Sequence, residues 1–161
     1  MITAVYPGSF DPITLGHLNI IKRASRIFDK LYVCVMINSG KHPLFTREER
    51  MELIKRCTAK LPNVVVETSD ELVVKYAKSR GANVIVKGLR AVSDFDSESQ
   101  MAIANKKIEP GIDTVFLTSS EKYTYLSSTV VKEMAKYGTD LSSFVPREII
   151  QDVVNKTRNN N

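Results

Sequence analysis

The chain has 161 residues, 43% hydrophobic and 25% charged, so one ordinary domain with its own core is expected and wholesale disorder is excluded. Twenty-three Lys and Arg against 18 Asp and Glu give a net charge of +5, which favours an anionic partner: nucleic acid, a membrane surface or a phosphorylated small molecule. No apolar run approaches the roughly twenty residues of a membrane span, the first residues show no basic leader, and two cysteines make no disulfide framework, which leaves the cytoplasm as the expected compartment.

Strand-like and helix-like segments alternate along the chain. Residues 2–6 are short, β-branched and apolar, and they end at Pro7-Gly8. A helical pattern follows, with Leu18, Ile21, Ser25 and Phe28 on one face. Residues 31–37 are apolar on both faces, as in a strand sandwiched between helices. Thr46 and Glu49 have the spacing of a capping box, opening a helix expected to reach about Ala59, and Pro62 lies beyond its end. A third strand starts at residues 64–66. Ser69-Asp70 then offers a cap for a helix through Arg80, stopped by Gly81. Residues 84–86 form a fourth strand, Ser93-Asp94 begins another helix, and residues 114–117 form a fifth strand. Ser127-Ser128 caps a helix ending near Gly138, and Pro146 suits the first position of a last helix.

This order predicts an α/β fold: a single domain over residues 1–161, built as a doubly wound five-stranded parallel sheet with helices on both faces, with about 158–161 as a frayed tail. Ligands bind such Rossmann-like sheets beyond the carboxyl ends of the strands, so the residues just after strands carry the chemistry.

The densest signal is P-G-S-F-D-P-I-T-L-G-H, residues 7–17, after the first strand. Gly8 permits a tight turn. Ser9 offers a hydroxyl. Thr14 to His17 open the first helix, where free N–H groups and the positive dipole end attract phosphate. Neither the dinucleotide G-x-G-x-x-G pattern nor the G-x-x-x-x-G-K-[ST] loop is present. Lys41 follows the second strand and, by itself, reads as one solvated lysine among many. Lys87-Gly88-Leu89-Arg90 follows the fourth strand and sets a cation on each side of a turn. Tyr123-Thr124-Tyr125-Leu126-Ser127-Ser128-Thr129 follows the fifth, with a serine pair that reads on its own as a helix cap.

Thr14-Leu15-Gly16-His17 resembles the signature of the nucleotidyltransferase superfamily, and the longer string is similar to that of its bacterial phosphopantetheine adenylyltransferase family. Phe45-Thr46-Arg47-Glu48-Glu49-Arg50, the Lys87–Asp96 string and the Ser127–Lys132 string resemble three further family motifs in the same order. The resemblance covers about residues 2–157. It implies adenylyl transfer from ATP to 4′-phosphopantetheine, giving dephospho-coenzyme A and pyrophosphate. His17 is implied as a transition-state stabiliser, with Lys41 and Arg90 as its catalytic companions. For ATP it implies Ser9, Phe10, His17, Gly88, Leu89, Arg90, Glu98, and Tyr123, Thr124, Tyr125, Leu126, Ser127, Ser128 and Thr129. For the phosphorylated acceptor it implies Ser9, Lys41, Val73 and Lys87. Mg²⁺ on the ATP phosphates, with no metal held by protein side chains, coenzyme A as a feedback ligand and a homohexamer are implied in the same way. Neither nucleic acid nor a membrane is expected as a partner.

The sequence departs from the family pattern at Lys87, which stands for arginine, at Ser97, which stands for an aromatic residue, and mildly at Leu126 and Thr129. The two alternatives weighed are a related nucleotidyltransferase with another phosphorylated acceptor and a basic α/β module binding nucleic acid. The second predicts cations clustered with exposed aromatics on one surface, whereas the basic residues singled out here stand one by one at strand ends.

Overall fold

The computed structural model of the chain describes residues 1–37 and 42–160. Its strands are β1 (Thr3–Gly8), β2 (Lys30–Met36), β3 (Val64–Ser69), β4 (Val84–Leu89) and β5 (Asp113–Thr118). Between and after them run α1 (Leu15–Ile27), α2 (Arg47–Cys57), α3 (Val73–Ser79), α4 (Val92–Ile108), α5 (Ser128–Lys136) and α6 (Ile150–Asn159). The strands form one parallel sheet in the order β3-β2-β1-β4-β5. The chain winds outward from β1 to β3, then crosses back to β4 on the other side of β1. The sheet therefore has its switch point between β1 and β4, where the loops after the two strands diverge and leave a crevice.

Strand periodicity distributes the core over two faces. Ala4 and Tyr6 of β1, with Leu31, Val33 and Val35 of β2, point to the face covered by α1, α2, α5 and α6. Val5, Cys34 and Ile85 point to the other face and pack on Val74, Tyr76 and Ala77 of α3. Burying one such side chain completely contributes about 1.5–3 kcal/mol, so the doubly covered strands β1 and β2 anchor the domain. On the second face α4 runs beside β4 and β5, where Phe95 meets Phe116 edge-on at 5.8 Å between ring centroids. Phe95, Met101, Ile103 and Ile108 of this helix remain exposed.

Two helix starts differ from expectation. Ser69 and Asp70 cap nothing: Ser69 is the last residue of β3, paired with Met36, and its hydroxyl accepts from Glu71 N at 3.0 Å. The helix begins one turn later at Val73 with Leu72 at the N-cap position. Pro146 precedes a 3₁₀ turn, Arg147–Ile149, instead of taking the first position of α6. Gly81 and Gly138 do end α3 and α5 with positive φ values of 66° and 70°.

Candidate active site

The start of α1 is built from its own residues. Thr14 is the N-cap: its Oγ1 accepts from His17 N at 3.2 Å, and its own N–H donates to His17 Nδ1 at 3.0 Å. An imidazole thus takes the place that glutamate holds in the usual capping box. Because Nδ1 accepts a backbone N–H, the neutral ring carries its proton on Nε2, leaving that nitrogen as a donor for the cavity that His17 lines. Burial, reinforced by the Arg90 and Lys87 cations, lowers the His17 pKa from 6.5 to about 4, so the ring is neutral at physiological pH.

Phe10 supports this arrangement from beneath. Its ring is 1% exposed and meets His17 edge-on at 5.0 Å and Tyr6 at 5.3 Å. Phe10 adopts φ of 48°, the left-handed region that bulky side chains avoid, a strain of about 1–3 kcal/mol held by the packing. Gly8 makes room for it: a Cβ there would lie 2.9 Å from Phe10 Cζ.

The cavity, of about 220 Å³, opens at the switch point. Its walls are Tyr6, Pro7, Gly8 and Phe10 from the end of β1, Thr14, Gly16, His17 and Ile20 from α1, and Lys87, Gly88 and Arg90 from the end of β4. Glu98 of α4, Ser119 after β5, and Tyr123, Leu126, Ser127 and Ser128 around the start of α5 complete it. Both cations are held by internal partners. Lys87 Nζ is 3.4 Å from Glu98 Oε2, and Arg90 Nη1 donates to Leu126 O at 2.6 Å with Nε 3.7 Å from Asp94 Oδ2. At the start of α5, Ser127 Oγ accepts from Val130 N at 3.1 Å while Ser128 Oγ donates to Pro12 O at 2.8 Å. The Ser128 proton is therefore engaged in structure, whereas the Ser127 hydroxyl, an acceptor in its cap bond, keeps its proton to donate to an anion alongside the first N–H groups and the dipole of this helix start.

The structure thus brings Phe10, His17, Lys87, Gly88, Arg90, Glu98, Tyr123, Leu126, Ser127 and Ser128 together around one cavity. Other expected residues lie off its walls. Ser9 turns its carbonyl to Arg50 Nη1 at 3.0 Å, Leu89 O accepts from Ser119 N at 2.8 Å, and Thr124 Oγ1 donates to Glu121 O at 3.0 Å. Tyr125 donates its hydroxyl to Ser143 O at 2.8 Å, and Thr129 is exposed on the first turn of α5. Val73 packs with the α3 core on the second face of the sheet, as an ordinary apolar helix residue does. Lys41 lies outside the described residues.

Tyr6, Ile20 and Ser119 line the cavity without having been singled out from the sequence. Tyr6 looked like one more core residue of a strand, and burial does raise its hydroxyl pKa well above the usual tyrosine value, keeping it a proton donor. Its place as the last aromatic before Pro7-Gly8 was the one signal available.

Two helix starts, a neutral imidazole donor and two cations at the switch point of a parallel sheet are the equipment of a phosphoryl- or nucleotidyl-handling α/β enzyme. The profile of the cytidylyltransferase-like family matches residues 5–134, which makes the class nucleotidyltransferase. A Vibrio parahaemolyticus protein assigned as a nicotinate-nucleotide adenylyltransferase superposes with a TM-score of 0.68 at 17% identity, over 97% of this chain and 96% of that one, and supports the fold alone. The chain is 53% identical to the phosphopantetheine adenylyltransferase of Caldanaerobacter subterraneus subsp. tengcongensis over 156 residues, 97% of this chain and 98% of that protein. It is 51% identical to the one from Lachnoclostridium phytofermentans over 97% of this chain and 96% of that protein. The chain belongs to the phosphopantetheine adenylyltransferase family.

Proposed function

We infer that the chain transfers the adenylyl group of ATP to the phosphate of 4′-phosphopantetheine, giving dephospho-coenzyme A and pyrophosphate. The observation that carries this reading is the meeting of His17, Lys87, Arg90 and the α5 start in one cavity, on a chain that matches these relatives from end to end. The attacking group is a phosphate monoester, already an anion at neutral pH, so no general base is needed. The work left to the protein is to align two mutually repelling anions and to neutralise charge on the transferring phosphoryl group.

In this proposal the His17 Nε2–H donates to the α-phosphate oxygens as charge builds there, and Arg90 and Lys41 supply positive charge. The start of α5 binds the remaining phosphates through its N–H groups. Lys87 receives the acceptor's phosphate, exchanging its contact with Glu98 for it. A lysine here gives charge without the bidentate geometry of arginine, so the acceptor phosphate is held less rigidly than in the family pattern. Mg²⁺ enters in the same proposal on the ATP phosphates, where it would offset their charge. Among the described residues no cluster of three or more His, Cys, Asp or Glu side chains could hold a metal, and the cavity carboxylate Glu98 is paired with Lys87, a donor set that suits a cation carried by phosphates and water.

No helix of the described residues is long and apolar enough to cross a membrane, and a cytoplasmic location belongs to the same proposal. So does self-association into a homohexamer. The exposed Phe95, Met101, Ile103 and Ile108 on α4 support a second copy covering that helix, which sedimentation would read directly. Coenzyme A, which contains the product's own skeleton, is the proposed feedback ligand.

The test is to mix the protein with ATP, Mg²⁺ and 4′-phosphopantetheine and to identify the product by mass, with CTP and nicotinate mononucleotide in parallel. Dephospho-coenzyme A from ATP alone is expected. Turnover only with CTP, or only with another phosphorylated acceptor, overturns the reading in favour of a different member of the superfamily.

A further inference from the structure

Asp11 is 5% exposed in the β1–α1 loop, yet it does not face the cavity. Its Oδ1 accepts from Phe45 N at 2.8 Å, and its Oδ2 accepts from Leu44 N at 2.9 Å and from Lys132 Nζ at 2.8 Å. Lys132 stands on α5, one turn beyond Ser128, and its side chain is 35% exposed. It too is absent from the cavity wall. Two further bonds run the same way: Ser128 Oγ donates to Pro12 O at 2.8 Å, and Leu15 N donates to Phe144 O at 3.0 Å. Three contacts thus tie the loop that presents His17 to α5 and the segment after it, and only the one between Asp11 and Lys132 is ionic.

We propose that the Asp11–Lys132 pair is a positioning device for adenylyl transfer, fixing the start of α5 against the start of α1 so that donors from both helices meet one triphosphate at a set spacing. This rests on the function proposed above. Stability alone is a weak reason for such a pair, because desolvating a buried carboxylate and an ammonium offsets much of their attraction. Geometry is a stronger one, since a misplacement of about 1 Å at a reacting centre can cost about 100-fold in rate. Neither residue touches the nucleotide in this arrangement. Both act through the N–H groups at Ser128 and through His17.

The test compares Lys132→Met, which keeps the apolar stem and removes the charge, with Lys132→Arg, which restores it. Steady-state kinetics are measured well below the melting temperature of each variant. Lys132→Met is expected to lower kcat about 10- to 100-fold with KM for ATP and for 4′-phosphopantetheine within about threefold, and Lys132→Arg to recover most of the loss. If Lys132→Met does not fold, Lys132→Gln carries the same expectation with a smaller loss. A folded Lys132→Met with kcat within twofold of the parent overturns the inference. So does an ATP KM that rises as much as kcat falls, which would make Lys132 a direct phosphate ligand, and so does failure of arginine to rescue. If the parent chain itself forms no dephospho-coenzyme A, the functional reading has failed first and this inference falls with it.

Discussion

Replacing His17 with alanine, asparagine and glutamine separates the work of its two ring nitrogens. Nδ1 accepts the Thr14 N–H at 3.0 Å and closes the cap of α1, while Nε2 is left to donate into the cavity. Asparagine reaches only to the position of Nδ1, and glutamine reaches to that of Nε2. Loss of one preorganised donor to a developing oxyanion costs about 10²–10³ in kcat, or roughly 3–4 kcal/mol. His17→Ala and His17→Asn are therefore both expected to lose that much, with KM for ATP changed only a few-fold. His17→Gln should recover part of the rate. His17→Asn should differ from His17→Ala in stability instead, keeping about 1 kcal/mol through the cap. Pyrophosphate release at saturating ATP gives the rates and denaturant melts give the stabilities. Near-parental turnover in His17→Ala, or an asparagine variant as fast as the glutamine one, refutes the assignment. The pH behaviour follows from the same geometry. With a folded pKa of about 4 below the unfolded 6.5, the unfolded chain binds more protons between those values. The contribution of His17 to stability is thus fully present above about pH 6.5 and is lost as pH falls toward 4. It is worth at most about 3 kcal/mol, and less because water reaches the partly exposed ring. The chain has two histidines, so an NMR titration resolves them, and a His17 value at or above 6 sinks the argument.

Gly8→Ala places a Cβ 2.9 Å from Phe10 Cζ, beneath His17, and should cost about 1–3 kcal/mol of stability together with turnover; an unchanged melt and rate would mean that Phe10 yields freely. Lys87→Arg keeps a cation beside Glu98 and adds bidentate reach, so KM for 4′-phosphopantetheine should hold or fall, and a several-fold rise contradicts the proposed role. Burial pushes the Cys34 thiol up to about 11 and the Cys57 thiol up to about 12, so a thiol reagent at pH 8 should label the folded chain slowly and the unfolded chain fast; rapid labelling of both in the native state would show that these side chains are not shielded as described.

What the sequence revealed was what a few neighbouring residues decide among themselves. The capping box of Thr46 and Glu49 is present as read, with Thr46 Oγ1 accepting from Glu49 N at 3.2 Å and Thr46 N donating to Glu49 Oε2 at 2.8 Å. Ser127 caps α5 for the same local reason. Ser69 failed as a cap because pairing of β3 with β2 took up its backbone, a tertiary demand that propensity does not carry. The strand order could not be read, since alternating strands and helices fit several windings, and with it went the neighbours of the cavity. The tautomer of His17 needed the Thr14 N–H to be placed. The bond from Asp11 to Lys132 spans 121 residues and leaves no periodic trace in either segment. Lys87 and Glu98, each expected to face a ligand, both line the cavity, and what the sequence did not carry is that in the folded chain they also face one another.

That last pairing bears on how the site can be both cationic and stable. Lys87 and Arg90 lower the His17 pKa, and each stands beside a carboxylate, Glu98 and Asp94. An entering triphosphate can replace Asp94 as the partner of Arg90, as the acceptor's phosphate replaces Glu98 at Lys87, and the charge of these anions acts on His17 in the opposite sense to that of the cations. An anion within about 4–6 Å of an imidazole typically raises its pKa by about one to three units. Titrating His17 by NMR with and without a non-hydrolysable ATP analogue should therefore show its pKa climbing from about 4 by at least about one unit on binding. If the analogue binds and the His17 titration does not move, the ring does not face the phosphates, and the Nε2–H has to be removed from the chemistry.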